Sequence, residues 1–135
     1  QFSALKTYMD KLVSEAREKG YVETIMKRRR YLPDINSANA VVRGFAERNA
    51  VNAPIQGSAA DIIKLAMIQV HHELEHQKLR AKMILQVHDE LVFDVPSQEV
   101  ETLKKVVKNA MENALQIGVP LDVQVEVGEN WLDAH

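Results

Sequence analysis

A chain of 135 residues, 46% of them hydrophobic, is about one domain with enough apolar mass for a real core. It has no cysteine, which excludes a disulfide scaffold and a cysteine-based zinc site and suits a reducing cytoplasm. The net charge of −2 argues by itself against a nucleic-acid binder, no early apolar stretch resembles a signal peptide, and no apolar run reaches the roughly 20 residues of a membrane span.

These features lead us to expect a soluble cytoplasmic protein with no membrane partner. The distribution of charge says more than the total. Residues 27–48 set Lys27, Arg28, Arg29, Arg30, Arg43 and Arg48 against Asp34 and Glu47, a balance of +4. Residues 89–135 set ten acids against Lys104, Lys105 and Lys108, a balance of −7. Such asymmetry suggests an anion-binding front and an acidic, solvated or metal-binding back, although an ordinary charged surface gives the same counts.

Residues 3–19 place Leu5, Tyr8, Leu12 and Ala16 at helical spacing, and Gly20 is a natural stop. The stretch YVETIMKRRRYLPDI alternates β-formers with polar residues, which predicts a short hairpin turning near Met26–Lys27 and ended by Pro33. Asp34, Asn36 and Ser37 are candidate caps for a helix over 38–52. Pro54 is expected to interrupt that helix, because it lacks an N–H and clashes with the preceding turn. The helix should restart in QGSAADIIKLAMIQVHHELEHQ, with Ser58 and Asp61 at capping-box spacing and Ile63, Met67, Val70 and Leu74 as its apolar stripe. KMILQV and LVFDV read as two strands of a hairpin, with His88–Asp89–Glu90 at or beside the turn. A helix from Pro96–Ser97 to about Ile117 follows, and LDVQVEV alternates strictly, as a strand with one wet face does. The expected fold is α+β: an antiparallel sheet of hairpin 82–95 plus strand 121–127, backed by long helices. So thin a sheet suggests further strands from outside the chain, and an open edge prone to self-association.

Four groups of residues carry possible chemistry. HELEH, from His72 to His76, fits the H-E-x-x-H zinc-hydrolase pattern. At roughly 100° per residue, however, both imidazoles point away from the apolar stripe, as on a wet helix end. Arg48, Asn52 and Gln56, spaced by four, share one helical face at least as far as Pro54. Arginine suits phosphates, and the two amides suit base edges, but the same residues could be a solvated helix flank. Lys27–Arg30 is a basic run on a hairpin, where alternation puts Arg28 and Arg30 on one side and Arg29 on the other. Asp89 and Glu90, finally, stand in an apolar hairpin. Carboxylates at such a turn suit Mg²⁺, which takes oxygen ligands, often one or two carboxylates plus waters and phosphates. The rival reading is that Asp89 merely supplies the turn, as aspartate often does.

QVHDELVFDVP resembles the palm motif of the family A DNA polymerases, the bacterial DNA polymerase I family. ERNAVNAPIQGSAADIIKLAM is similar to the segment joining their fingers to their palm. GYVETIMKRRRYLPDINS and VPLDVQVEVGENWLDAH also resemble family sequence, in family order over nearly the whole chain. The resemblance implies that residues 1–57 end the fingers subdomain and 58–135 form part of the palm. It implies a bacterial or phage-like DNA-directed DNA polymerase, with primer–template DNA and deoxynucleoside triphosphates as partners and two Mg²⁺ ions as cofactors. By the same resemblance, Asp89 would be one of two aspartates that hold the metals, with Glu90 beside it contributing less directly. His88 and Gln86 would lie near the primer end. Arg48, Asn52 and Gln56 would contact the duplex, partly in the minor groove, and Arg28 and Arg29 would approach the nucleic acid.

Lys27 departs from the pattern, since many relatives have glycine there. The resemblance also implies that the fingers helix that binds nucleotide, the partner aspartate's strand and the thumb lie outside these residues. Asp94 is no substitute for that partner, being roughly 16 Å from Asp89 along a strand and of opposite parity. The isolated chain is therefore expected to be inactive, with N-terminal polymerase segments as its missing partners. The rivals are a duplex-DNA-binding module without catalysis, a zinc hydrolase using His72 and His76, and a scaffold-like relative with no DNA role.

Overall fold

Helix α1 (Ser3–Lys19) ends where Gly20 takes a positive φ of 78° and donates its N–H to the Ala16 carbonyl at 2.8 Å. This is the glycine stop that the sequence predicts. The computed structural model describes residues 3–134, and they divide into two compact units at the boundary between Asp61 and Ile62. Among the described residues no helix is long and apolar enough to cross a membrane.

In the first unit, β1 (Tyr21–Glu23) pairs antiparallel with β2 (Arg29–Tyr31), with Val22 opposite Arg30. The intervening turn is closed by Thr24 N–H to the Arg28 carbonyl at 3.0 Å and Lys27 N–H to the Thr24 carbonyl at 2.9 Å. Lys27 sits there at a φ of 62°, the left-handed region that favours glycine. Ala16, Val22, Leu32, Ile35, Ala46 and Ala50 form the buried core of this unit. The residues that helix α2 contributes to this core are alanines, Ala46 and Ala50.

Helix α2 (Ala40–His76) corrects three expectations. Its cap is Asn39, whose Oδ1 accepts the Val41 N–H at 2.9 Å, rather than Asp34, Asn36 or Ser37. It runs for 37 residues without a break, with Pro54 buried inside it instead of ending a helix at 52. Nor do Ser58 and Asp61 form a capping box. The Ser58 hydroxyl donates to the Pro54 carbonyl at 2.6 Å within the helix, and Asp61 faces the hairpin. Contacts from 33 to 37 residues away hold this stretch, where local propensity alone would break it.

In the second unit, α2 stops in a Schellman arrangement: Leu79 N–H reaches the Leu74 carbonyl at 3.0 Å, and Lys78 N–H reaches that of Glu75 at 3.1 Å. Strands β3 (Lys82–Val87) and β4 (Glu90–Asp94) follow as an antiparallel hairpin. A 3₁₀ turn (Ser97–Glu99) then leads into α3 (Val100–Glu112). The Glu99 carboxylate accepts the N–H groups of Arg80 and Ala81, each at 2.9 Å, and so fixes the entry to β3. Val70, Leu74, Ala81, Leu103, Val107 and Ala110 form the core, with Phe93 of β4 packed on it.

The fold class is α+β, three helices with two small antiparallel hairpins. Two details differ from expectation. Helix α3 ends five residues early, at Glu112, where Asn113 turns its side-chain amide back onto the Asn109 carbonyl at 2.8 Å. Residues 121–127 are not a strand. Leu121, Val123 and Val125 are half-buried while Asp122, Gln124 and Glu126 are exposed, so the alternation is real. A strand also needs a neighbour's hydrogen-bond ladder, and no described strand pairs with this segment, which lies beside Lys104, Lys105 and Lys108 of α3.

The turn at Lys27 makes the first prediction. Lys27→Gly should relieve a backbone cost of about 1 kcal/mol. Its ion pair to Glu23, at 3.9 Å with the lysine side chain 81% exposed, contributes little against that. The thermal midpoint should rise by about 3 °C; an unchanged or lower midpoint would show that the turn carries no strain.

Candidate metal turn and nucleic-acid face

His88 and Asp89 are the two turn residues between β3 and β4, with Val87 paired to Glu90. Only the first of them has a positive φ, 53° at His88, as in a type II′ turn. The Gln86 side-chain amide donates to the His88 carbonyl at 2.6 Å and helps close the turn. His88, Asp89 and Glu90 are all exposed. A carboxylate placed at a tip in water carries no desolvation cost and needs no buried partner, which is how an acidic pair stands in so apolar a hairpin. Ile84 is an extra residue in β3, a bulge between Met83 and Leu85, and Ile84 and Leu85 are 54% and 49% exposed. Asp94 lies at the far end of β4, opposite Lys82.

Asp89 and Glu90 are adjacent hard oxygen donors, and among the described residues no three His, Cys, Asp or Glu side chains gather to hold a metal. The pair fits Mg²⁺ in the usual manner, one or two carboxylates with waters and phosphates completing the shell. It does not fit a tetrahedral zinc cage. His72 and His76 are exposed on α2, where neighbouring His71 lies 3.5 Å from Glu75, as on a solvated helix face.

Arg48, Asn52 and Gln56 are exposed on α2 in the first unit. Because the helix continues through Pro54, the three share one face within about 80°. The Asn52 and Gln56 amides make no hydrogen bond to described residues, and the Arg48 guanidinium lies 5.8 Å from the ring centre of exposed Phe45. The face therefore offers one cation, two free amides and apolar surface.

The basic run divides differently from the sequence expectation. Arg28 donates from Nε to Asp61 at 3.0 Å and from Nη2 to the Gly57 carbonyl at 3.1 Å. Arg29 bonds Glu23 at 3.1 Å and lies 4.4 Å over the Tyr21 ring. Its pKa is raised above the ordinary arginine value, chiefly by the Glu23 hydrogen bond, then by that to Tyr31. Arg43 pairs with Glu47 at 3.9 Å. Of the six cations in residues 27–48, Arg30 and Arg48 alone make no ion pair with described residues. Sequence reasoning selected Arg28 and Arg29, and both are bonded within the protein. The available signal was Glu23, which hairpin register sets opposite Arg29.

The sequence model described as DNA polymerase family A matches residues 1–133. The chain is 56% identical over 134 residues to DNA polymerase I of Streptococcus pneumoniae (strain TIGR4), which takes in 99% of this chain and 15% of that protein. It is 53% identical over 133 residues to DNA polymerase I of Bacillus subtilis, covering 98% of this chain and 15% of that protein. Among solved structures, it is similar to the POL domain of Pol1 from M. smegmatis in complex with DNA primer-template and dNTP. There the TM-score is 0.96 at 48% identity, over 98% of this chain and 24% of that one. The chain thus spans about 15% of the length of these two polymerase I relatives.

Proposed function

The chain belongs to DNA polymerase family A, and from that premise we propose that it is a segment of a DNA-directed DNA polymerase carrying one part of the metal site and one part of the duplex-binding surface. In this reading residues 1–57 end the fingers, 58–135 belong to the palm, and the enzyme works in the bacterial or phage-infected cytoplasm on primer–template DNA and deoxynucleoside triphosphates. The observation that carries it is Asp89, an exposed carboxylate at the tip of a two-residue turn with Glu90 next to it.

Two Mg²⁺ ions, when bound, would supply Lewis acidity at the transferring phosphoryl group. The chain's own contribution is placement. The hairpin turn fixes the Asp89 carboxylate as an oxygen donor in water, with Glu90 adding charge beside it. Gln86 closes the turn under His88, whose imidazole is exposed where it can face the primer end. Arg48 would neutralise one phosphate, while Asn52 and Gln56 would bond minor-groove acceptors. Those acceptors hardly change with sequence, which suits an enzyme that must copy any template. Since Arg28 and Arg29 are engaged within the protein, Arg30 becomes the second cation for the nucleic acid beside Arg48, and Arg28 and Arg29 contribute by shaping the hairpin. The likeness to a structure solved with DNA primer-template and dNTP supports these partners.

For the 135 residues alone, the same geometry favours duplex binding without catalysis. Asp89 and Glu90 make a single carboxylate pair, too few protein ligands for two reluctantly dehydrated ions. In a full-length family A polymerase carrying this segment, Asp89→Asn should keep primer–template affinity and lower polymerisation at least about 100-fold. Near-normal turnover would remove Asp89 from the metal site. In a primer-extension assay the 135-residue chain should incorporate no nucleotide, and its Mg²⁺ affinity should be of roughly millimolar order. Templated incorporation that Asp89→Asn abolishes would show that these residues suffice for catalysis.

A further inference from the structure

Helix α2 carries Pro54, Gly57 and Ser58 within five residues and still runs unbroken. Proline removes one helical hydrogen bond and costs about 3 kcal/mol in a helix interior, and glycine costs about 1 more. A serine hydroxyl bonded to the carbonyl four residues back also tends to bend a helix, as Ser58 does onto Pro54 at 2.6 Å. Taken alone, this stretch should kink or fray.

What it has instead is the β1–β2 turn laid against it. Ile25 N–H donates to the Ser58 hydroxyl at 2.9 Å, and Arg28 reaches the Gly57 carbonyl at 3.1 Å. Asp61, only 8% exposed, accepts from the Thr24 hydroxyl and from the Arg28 guanidinium. The contact requires glycine at 57, because a Cβ there would stand 2.5 Å from the Thr24 methyl. Every helix-weakening residue after Pro54 is therefore engaged by the hairpin. Gln56 lies between Pro54 and the engaged Gly57, whereas Arg48 and Asn52 precede the proline.

We propose that the β1–β2 turn is a clamp that keeps α2 continuous across Pro54 and thereby holds Gln56 in line with Arg48 and Asn52, making Asp61, Thr24 and Arg28 positioning residues for duplex binding. The proposal rests on the reading of that face as duplex-binding. Loss of the clamp should act through Gln56 and leave Arg48 alone. Asp61 is about 20 Å along the helix from Arg48, beyond the range of ordinary coupling, and about 7 Å from Gln56.

The test is a pair of double-mutant cycles on the 135-residue chain, read as primer–template affinity by fluorescence anisotropy. Gln56→Ala should weaken binding about tenfold. Asp61→Asn should weaken it similarly, and the double variant should match Asp61→Asn within about twofold. With Arg48→Ala the two losses should instead multiply. Multiplying losses at Gln56, or wild-type binding by Asp61→Asn, would overturn the clamp. If Arg48→Ala and Gln56→Ala both bind like the wild type, the duplex reading itself falls, and hydrogen exchange then decides the clamp independently. Asp61→Asn, or the gentler Thr24→Val, should speed exchange at amides 55–61 and leave 43–50 unchanged. Equal protection at 55–61, or a uniform rise through both stretches, would refute it.

Discussion

The carboxylate of Asp61 is nearly buried, and a buried charge is stable only when partners replace the water it has lost. It takes those partners from the Thr24 hydroxyl and the Arg28 guanidinium, on a hairpin whose strands are three residues each. So short a hairpin is at best marginally stable by itself, and a helix containing Pro54 and Gly57 is no better. Each is held by the other, and Asp61 is the joint. The exposed face of Arg48, Asn52 and Gln56 exists as a straight row because this joint holds.

Asp89 is the opposite case. It needs no partner because the two-residue turn holds it in water, and its oxygens are for that reason available to an external cation. The first unit thus buries a carboxylate among partners, and the second exposes one to water. The cations show the same division. Arg28, Arg29 and Arg43 are engaged within the protein, and Arg30 and Arg48 are left facing outward.

Local patterns were readable where local forces decide. Helix α1 with its Gly20 stop, both hairpins and the solvated setting of His72 and His76 all followed from spacing and turn chemistry. The position of His88–Asp89 at a turn followed in the same way. What escaped was set by distant contacts. Helix continuity across Pro54 depends on bonds to Thr24, Ile25 and Arg28, which no local window contains. The alternation of residues 121–127 was correctly seen, but alternation describes burial, and a strand needs a partner as well. The ion pairs of Arg28 and Arg29 are with Asp61 and Glu23, so a count of charges could not separate them from Arg30.

The central claim is that the α2 face meets nucleic acid. It is tested most directly by titrating the isotope-labelled chain with a short primer–template duplex and following each residue by NMR at two salt concentrations. The account predicts shifts concentrated at Arg48, Asn52 and Gln56 and at Arg30, with affinity that falls as salt rises because phosphate contacts release counterions. Shifts confined to the His72–His76 face, or binding indifferent to salt, would contradict it.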